Sequence, residues 1–410
     1  MEFTVKPAGP SSSGDGAHPP HGASLSRARS AAAVLALSLG CFSFVSTELM
    51  PVGVLPAMAS GLDVSLGEAG YLVSCFAFVV ALTATPLTGL LGAINRKALM
   101  ALLLAVCWLG NLVTYLAPSY AVVLAGRVLV AAAIGVFWST AVVTAVHLVS
   151  ARNAIRATSI VFGGVSLATV LGVPAGTILG EHQGWRAVFA ALSMLSLCVF
   201  AVVLWSVPAV RLSRATIHGA MRAILRSRAL LAVFGATALI VTGNFLAYTY
   251  IAPYLEQVAR QSPADISLML LLYGAAGVLA NFAIAPLAAR ALRASLALVT
   301  AMLAASLLAM HLAIGSHAAM AAMMVLWGAA YGALPVLLQT SVFNGAARIE
   351  GGADGATSIN VAVFNAAIGL GALVGGLLIN GTGPARIPFA AGAFVVAGLA
   401  LVITSGRRAV

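Results

Sequence analysis

The stretch SYAVVLAGRVLVAAAIGVFWSTAVVTAVHLV, residues 119–149, decides the fold class of this chain. It contains a single full charge, Arg127, and about 20 apolar residues already suffice for a helix to cross a bilayer. The whole chain has the same character, because 61% of its 410 residues are hydrophobic and only 8% are charged. Soluble domains contain about a quarter charged residues. The composition therefore excludes a water-soluble enzyme, a secreted disulfide scaffold and a disordered protein, and it predicts an integral membrane protein.

Apolar runs separated by polar residues predict twelve transmembrane helices and an all-α fold. The predicted spans are 31–58, 68–92, 97–117, 119–149, 155–180, 185–207, 229–255, 264–289, 293–314, 318–345, 353–380 and 386–404. Residues 1–30 are rich in Ser, Gly, Pro and His and predict a disordered tail, and 405–410 form a second short tail. The basic linker 208–228 divides the spans into two six-helix halves, 31–207 and 229–404.

The positions of Lys and Arg predict the orientation of the chain. With twelve spans, seventeen of the 21 basic residues fall on the side that holds both termini, three fall on the other side, and Arg127 lies within a span. The seventeen are Lys6, Arg27, Arg29, Arg96, Lys97, Arg152, Arg156, Arg211, Arg214, Arg222, Arg226, Arg228, Arg290, Arg293, Arg348, Arg407 and Arg408. Because cytoplasmic loops are enriched in Lys and Arg, both termini are predicted to be cytoplasmic. Basic residues scattered between apolar runs do not indicate a nucleic-acid partner, despite the net charge of +11.

The two halves show a repeat at an offset of 200 residues. The matching segments are Pro86-Leu87 with Pro286-Leu287, Gly176 with Gly376, and an R-x-x-F-A-A pattern that begins at Arg186 and at Arg386. Several matches at one offset indicate the duplication of a six-helix unit. A parallel duplication of this kind is the architecture of the major facilitator transporters, in which the substrate site lies between the halves near the middle of the membrane.

Residues 31–404 resemble that superfamily, and specifically its drug and sugar efflux branch. The motifs that carry the resemblance are TELMPVGVLP (47–56), Arg127 with GVFWS (135–139), LGVPAG (171–176), YTYIAPY (248–254) and FNAAIGLGA (364–372). The resemblance implies a proton-coupled exporter of sugars or drug-like molecules. The segment GLLGAINRK resembles the family's gating loop between the second and third spans and retains Gly89, Arg96 and Lys97, but Ala93 stands where the family has Asp.

Two charged side chains lie well inside predicted spans, Glu48 in the first and Arg127 in the fourth. A charge within the bilayer costs about 2.5–3.5 kcal/mol even on the scale that gives the lowest cost, so each of the two needs a structural or functional explanation. Both are expected at a similar depth. They form either a proton-coupling unit whose protonation changes when substrate arrives, or a fixed ion pair or capping contact between helices. The equivalent of Arg127 in the second half is Trp327, so proton coupling is predicted only for the first half.

Six polar or aromatic side chains are predicted as substrate-binding residues in the spans that line the cavity of such a fold. They are Trp138 in the fourth span, Asn244 and Tyr248 in the seventh, Tyr331 and Gln339 in the tenth, and Asn365 in the eleventh. Buried amides need hydrogen-bond partners, which either a substrate or a neighbouring helix supplies. The predicted cavity contains almost no fixed charge beyond Glu48. The predicted substrate is therefore neutral or weakly cationic, such as a sugar, a nucleoside or a lipophilic drug.

Glycines recur at small-xxx-small spacings in the fifth and eleventh spans. Gly172 and Gly176 flank Pro174 in the fifth span, and Gly371 and Gly375 lie in the eleventh. Such faces let helices approach closely, and a proline adds a bend. Two compatible interpretations stay open, namely close packing alone and a contact at which the two halves rock against each other.

Rival classes of protein leave few traces in this sequence. A membrane-embedded enzyme needs clustered acids, an H-E-x-x-H helix or a Ser/His arrangement at membrane depth, and none is found. Lys6 and Lys97 are the only lysines, and no G-x-x-x-x-G-K-[ST] loop occurs, so this chain does not drive transport with ATP. A symporter, a uniporter and a non-transporting receptor of the same fold stay as alternatives.

The prediction is therefore a non-enzymatic, monomeric transporter of the bacterial inner membrane. It binds a small-molecule substrate, protons and the lipid bilayer, and no nucleic acid. The proton gradient supplies the energy, and no metal or prosthetic cofactor is predicted, since the four cysteines show no CxxC spacing.

Overall fold

The computed structural model describes residues 27–91, 94–150, 153–209, 221–347, 349 and 352–405. Within them every regular element is helical, and twelve helices are long and apolar enough to cross a membrane, which confirms the predicted all-α fold. They are α1 (Arg27–Gly61), α2 (Leu66–Leu91), α3 (Arg96–Leu116), α4 (Tyr120–His147), α5 (Ala154–Leu167, continued by Ala168–Gly172 and Val173–Gln183), α6 (Trp185–Ser206), α7 (Arg228–Tyr248, continued by Ile251–Gln257), α8 (Pro263–Ala283), α9 (Ala285–Ala309), α10 (His317–Ala346), α11 (Gly352–Thr382) and α12 (Ile387–Ser405).

The predicted tails and linker lie largely outside the described residues. Residues 1–26 and 406–410 are outside them, as is segment 210–220 of the linker. The rest of the linker includes a short helix, Met221–Arg226, whose Ile224 is buried in an apolar cluster formed by α7, α10 and α11. The linker is therefore anchored to the second half of the molecule at this end.

Prolines shape the helices that pass through the middle of the membrane. In α1, the backbone at Val54 leaves the helical region (φ −120°, ψ 18°) between Pro51 and Pro56. In α5, a π-helical turn, Ala168–Gly172, comes just before Pro174. A proline has no N–H to offer the carbonyl four residues earlier, so the helix must bend, widen or find another donor at that point.

One pair of predicted limits differs clearly from the structure. The eighth span is predicted as 264–289, but α8 ends at Ala283 and α9 begins at Ala285. The backbone turns a second time at Ala291 (φ −153°, ψ 64°), within the predicted loop 290–292, so residues 285–290 form a short helical segment of their own instead of the end of the eighth span. Pro286 lies in its first turn, where the missing N–H has no helical role.

The helices assemble into two six-helix halves, α1–α6 and α7–α12. Within the halves the most extensive contacts are α8 with α10, α7 with α11 and α12, and α3 with α6. The halves meet mainly along two helix pairs, α2 with α11 and α5 with α8, and α1 also contacts the continuation of α7. Below, the terminal side is the membrane side at which α1 begins and α12 ends, and the distal side is the opposite one.

The halves share a buried apolar core on the distal side. One cluster there joins Val52 and Leu55 of α1 and Val73 of α2 to Leu246 of α7 and Ile368 of α11. On the terminal side, one apolar cluster contains residues of the first half only, and another contains residues of the linker helix and the second half only. Within the described residues, the interface is therefore closed by apolar packing on the distal side and is not closed in this way on the terminal side.

The four glycines predicted at helix contacts pack within the halves. A Cβ at Gly172 or Gly176 of α5 would meet Ser46 or Met50 of α1. A Cβ at Gly371 or Gly375 of α11 would meet the backbone or a side chain of α7 and its continuation. Other glycines approach the opposite half, including Gly274 of α8, which lies against the backbone of the π-helical turn of α5.

We expect Gly371→Ala to destabilise the protein by about 1–3 kcal/mol, because the added methyl group meets the backbone of α7, including the Thr242 carbonyl and Leu246 N at 2.9 Å. A helix backbone yields less easily than a side chain. Thermal unfolding in detergent measures the effect. Gly381→Ala, in the same helix, is the matched control, since a Cβ there has no neighbour within 4 Å. Equal melting temperatures for the two variants would contradict the prediction.

Candidate functional site

Arg127 of α4 completes the hydrogen bonding of α1 at a proline. Pro51 has no N–H, so the carbonyl of Thr47, four residues earlier, lacks its helical donor. Arg127 Nη1 donates to this Thr47 carbonyl, and Nη2 donates to the Glu48 carbonyl at 3.0 Å. The guanidinium carbon also lies 4.3 Å from the centroid of the Phe76 ring of α2. The buried arginine is thus stabilised by carbonyl dipoles and an aromatic face.

The Glu48 carboxylate lies beside this arrangement without pairing with it. Within the described residues it forms no ion pair with a basic group within 4.0 Å, although its backbone carbonyl accepts from Arg127. The side chain is half-buried, whereas Arg127 is 1% exposed. Its charge is within electrostatic range of Arg127 and of Tyr331 on α10 of the other half. The observed contact between α1 and α4 is therefore a capping contact, and the carboxylate is free of a fixed counter-ion.

Buried hydrogen bonds fix this part of α1 against α3 and α6. Asn111 of α3 donates to the Thr47 hydroxyl at 3.0 Å and to the Cys107 carbonyl at 2.9 Å. One helical turn before Thr47, the hydroxyls of Ser43 on α1 and Ser196 on α6 are 2.6 Å apart. All of these side chains are buried. The turn that carries Glu48 is consequently held in place from the side opposite the other half.

Across from Glu48, five rings of the second half form an aromatic cluster, Phe245 and Tyr248 of α7, Tyr273 of α8, and Trp327 and Tyr331 of α10. Tyr248 and Tyr273 are stacked with centroids 4.9 Å apart, and Tyr273 meets Trp327 edge-on at 5.2 Å. Phe245 links the cluster to Tyr331 at 5.9 Å. Such pairs contribute about 0.5–1.5 kcal/mol each beyond the burial of their surface, so the five rings hold one another in place.

Trp327 also ties α10 to α7 through Asn244. Its Nε1 donates to Asn244 Oδ1 at 2.8 Å, and both side chains are fully buried. Trp327 stands 200 residues after Arg127, so the two contacts are equivalent. In each half, a side chain of the fourth helix donates a hydrogen bond to the first helix. An indole N–H can only donate, which fixes the amide with its oxygen towards Trp327. The buried Asn244 Nδ2 has no hydrogen-bond partner within the described residues.

Two of the predicted substrate residues have local contacts elsewhere. Trp138 of α4 packs against Phe162 of α5, with ring centroids 6.0 Å apart, in the terminal half of the membrane. Asn365 of α11 donates to the Val361 carbonyl of its own helix at 2.9 Å. Neither side chain contacts Glu48 or the aromatic cluster through a hydrogen bond or ring pair within the described residues.

Gln339 of α10 belongs to a chain of interhelical hydrogen bonds. Its Nε2 donates to the Thr357 hydroxyl at 2.9 Å, and its Oε1 accepts from Asn360 at 3.2 Å. Thr237 of α7 in turn donates to Asn360 at 3.2 Å. In this conformation the amide joins α7, α10 and α11 to one another, as the interhelical interpretation expects.

The predicted gating loop lies on the terminal side, between α2 and α3. Gly89, Arg96 and Lys97 are half-buried, and Asn95 caps α3 by accepting from the Ala98 backbone at 2.8 Å. Two buried guanidinium nitrogens of Arg96, Nε and Nη1, have no hydrogen-bond partner within the described residues. Ala93, where the family has Asp, lies outside those residues.

Three residues of the aromatic cluster were not singled out for this site from the sequence: Phe245, Tyr273 and Trp327. The repeat holds a signal for Trp327, because the offset of 200 residues that links it to Arg127 also predicts its contact with the first helix of its half. Phe245 and Tyr273 carry no such signal. In a uniformly apolar span, the residue type does not indicate whether an aromatic side chain faces the lipid or the interior of the protein.

The comparison with known protein families decides the class of the molecule. Residues 35–353 match the Major Facilitator Superfamily. The chain belongs to this superfamily of membrane transporters. The chain is 33% identical over 373 residues to the inner membrane transport protein YdhP of Escherichia coli K12, and the match covers 90% of this chain and 94% of that one. The YdhP protein of E. coli O157:H7 matches to the same extent.

Solved structures agree with the major facilitator fold. Two crystal structures of a bacterial homolog of the human lysosomal transporter Spinster, inward-facing and either unoccupied or occupied, superpose with a TM-score of 0.73. They are 16% identical to this chain, and the unoccupied one covers 93% of it and 98% of its own length. At that identity the likeness concerns the fold. The drug and sugar efflux branch stays a prediction.

Proposed function

We propose that this transporter exports small neutral or weakly cationic solutes, sugars or drug-like molecules, from the bacterial cytoplasm in exchange for protons. The chain lies in the inner membrane as a monomer with both termini in the cytoplasm. The name of the E. coli relatives supports the location, and the basic residues of the terminal side support the orientation. The halves 31–207 and 229–404 rock against each other and expose one site to each side in turn.

The free carboxylate of Glu48 is the observation that carries this proposal. Both terminal nitrogens of the Arg127 guanidinium donate to backbone carbonyls and the group lies over the Phe76 ring, while its buried Nε has no hydrogen-bond partner within the described residues, so none of these contacts uses the carboxylate. A carboxylate at this depth is stabilised when it binds a proton or a cationic or hydrogen-bonding ligand. Proton and substrate therefore compete for Glu48. Binding of the substrate lets the site turn from the cytoplasm to the outside, and binding of the proton lets it turn back.

The aromatic cluster supports the substrate class. Tyr331 brings the cluster within electrostatic range of Glu48, and Tyr248 and Asn244 belong to the same group of side chains. Ring faces and hydroxyl or amide groups suit a flat or ring-shaped solute with few charges. Trp138, Gln339 and Asn365 are proposed as side chains that meet the substrate nearer the terminal side.

A flux experiment with purified protein in sealed liposomes tests the proposal. The vesicles contain a pH dye, and an imposed pH gradient drives exchange. A neutral sugar, an uncharged antibiotic, an organic monocation and a dianion are added in turn. We expect at least one of the first three to move protons in the direction opposite to its own movement, and we expect the dianion to move none.

The alternatives give different outcomes in the same vesicles. Protons that move in the same direction as the substrate would make the protein a symporter. Substrate flux that ignores the pH gradient would make it a uniporter. Preferred transport of the dianion would overturn the proposed substrate class while leaving the coupling intact.

A further inference from the structure

A side-chain amide joins the two halves at the distal end of the pair α2 and α11. Asn380 Oδ1, on α11, accepts from the Gly67 backbone N–H of α2 at 3.1 Å. Asn380 Nδ2 donates to the Ser65 hydroxyl at 3.2 Å. Both groups of one amide are thus used on the opposite half, and the Gly67 N–H, which can only donate, fixes which way the amide points.

The start of α2 is built to receive this amide. Its first backbone N–H groups have no partner within the helix. Glu68 and Ser65 cap each other reciprocally, since the Glu68 carboxylate accepts from the Ser65 backbone at 2.8 Å. Gly67 is the position where Asn380 approaches, and a Cβ there would lie 2.7 Å from Asn380 Cγ. The second half therefore supplies a cap that α2 does not provide for itself.

The other pair that joins the halves has no equivalent of this contact within the described residues. At the offset of 200 residues, Gly180 of α5 corresponds to Asn380, and at the start of α8 the capping box of Ser262 and Asp265 is the counterpart of Ser65 and Glu68 in α2. Glycine has no side chain with which to form the hydrogen bonds. Asp265 bonds to Ser262 at 2.5 Å, within the start of α8. The polar contact is thus specific to the pair α2 and α11.

We propose that Asn380 is the latch of the distal gate, holding the transporter closed to the outside until the halves rock apart. This inference rests on the alternating-access part of the proposed function. The latch lies at the edge of the shared apolar core, where water replaces the lost hydrogen bonds once the halves separate. Its contribution is consequently small enough for every transport cycle to reverse it.

Distances between spin labels test the latch without any substrate. Ser60→Cys on α1 and Gln257→Cys on the continuation of α7 are exposed positions of opposite halves on the distal side, labelled in a protein whose four native cysteines are replaced. Asn380→Ala is expected to raise the ratio of distal-open to distal-closed molecules about tenfold, the effect of two ordinary hydrogen bonds. Thr382→Ala is the matched control, since that hydroxyl bonds to the Leu378 carbonyl of its own helix.

A second variant separates the latch from a general loss of packing. Between the halves, Ser65→Ala removes only the bond from Nδ2, and it is expected to open the distal side about threefold. It also removes the bonds of the Ser65 hydroxyl with Glu68, which lie within the start of α2. The double variant is expected to open no further than Asn380→Ala, because the two groups share that bond. Distance distributions that coincide for Asn380→Ala and Thr382→Ala, or effects of Ser65→Ala and Asn380→Ala that add fully, would overturn the latch. A failure of proton antiport in the flux experiment leaves both measurements valid.

Discussion

Glu48→Gln is expected to abolish substrate-driven proton movement, a loss of at least about tenfold, while the protein keeps its fold. Gln has nearly the shape of Glu but cannot carry a proton or a charge. The substitution removes an intramembrane charge whose burial costs about 2.5–3.5 kcal/mol and which has no ion-pair partner in the described residues. We therefore expect the melting temperature to stay the same or to rise. The pH dye in sealed liposomes measures the proton movement.

Glu181→Gln is the matched control for this experiment. It makes the same chemical change at an exposed position near the distal end of α5. We expect it to leave both the proton movement and the exchange of unlabelled for labelled substrate unchanged. Proton movement that persists in Glu48→Gln would reduce Glu48 to a structural residue, and the alternative of a uniporter or of a different proton carrier would then have to be taken up.

Much of the fold is predictable because hydropathy and charge act along the chain. The twelve spans and the repeat need no knowledge of which way a helix faces. The closeness of Glu48 and Arg127 is also predictable, since a charge within the membrane needs a partner that stabilises it. The partner atoms are not, although the sequence does contain the reason: Pro51 frees the Thr47 carbonyl, and a carbonyl can satisfy an arginine as a carboxylate does.

The aromatic cluster shows where sequence reasoning ends. Tyr248 and Tyr331 are predicted for the site by depth alone, but their contact with Tyr273 depends on the rotation of α7, α8 and α10 about their own axes. Nothing in a uniformly apolar span specifies that rotation, because polar and apolar faces hardly differ. Gln339 illustrates the same difficulty for amides, since depth does not reveal whether a neighbouring helix already satisfies it.

Arg127→Met is expected to abolish transport while lowering the stability by no more than about 2 kcal/mol. The variant loses charge-assisted hydrogen bonds of about 1.5–3 kcal/mol and a cation–π contact of up to about 2 kcal/mol. It also no longer buries a charge, which stabilises the variant by about 2.5–3.5 kcal/mol. These contributions largely cancel for the whole molecule. The damage is local, because the Thr47 carbonyl is left without a donor next to Glu48.

Pro51→Ala restores the missing backbone donor and so tests this explanation directly. The substitution gives position 51 an N–H for the Thr47 carbonyl, which in the native protein already accepts from Arg127. We therefore expect Pro51→Ala to stabilise the Arg127→Met protein by about 1–3 kcal/mol more than it stabilises the native protein. Denaturant unfolding of the four proteins in detergent gives this coupling energy.

Pro56→Ala provides the control within the same helix. The alanine gives position 56 an N–H that can donate to the Val52 carbonyl, and this carbonyl accepts no hydrogen bond from Arg127 within the described residues. It should therefore change the stability equally in the native and the Arg127→Met backgrounds. If Pro51→Ala also acts equally in both, Arg127 does not serve as the substitute donor for α1. Its buried charge would then need another explanation, for which the Glu48 backbone carbonyl, the Phe76 ring and the electrostatic effect of the Glu48 carboxylate remain.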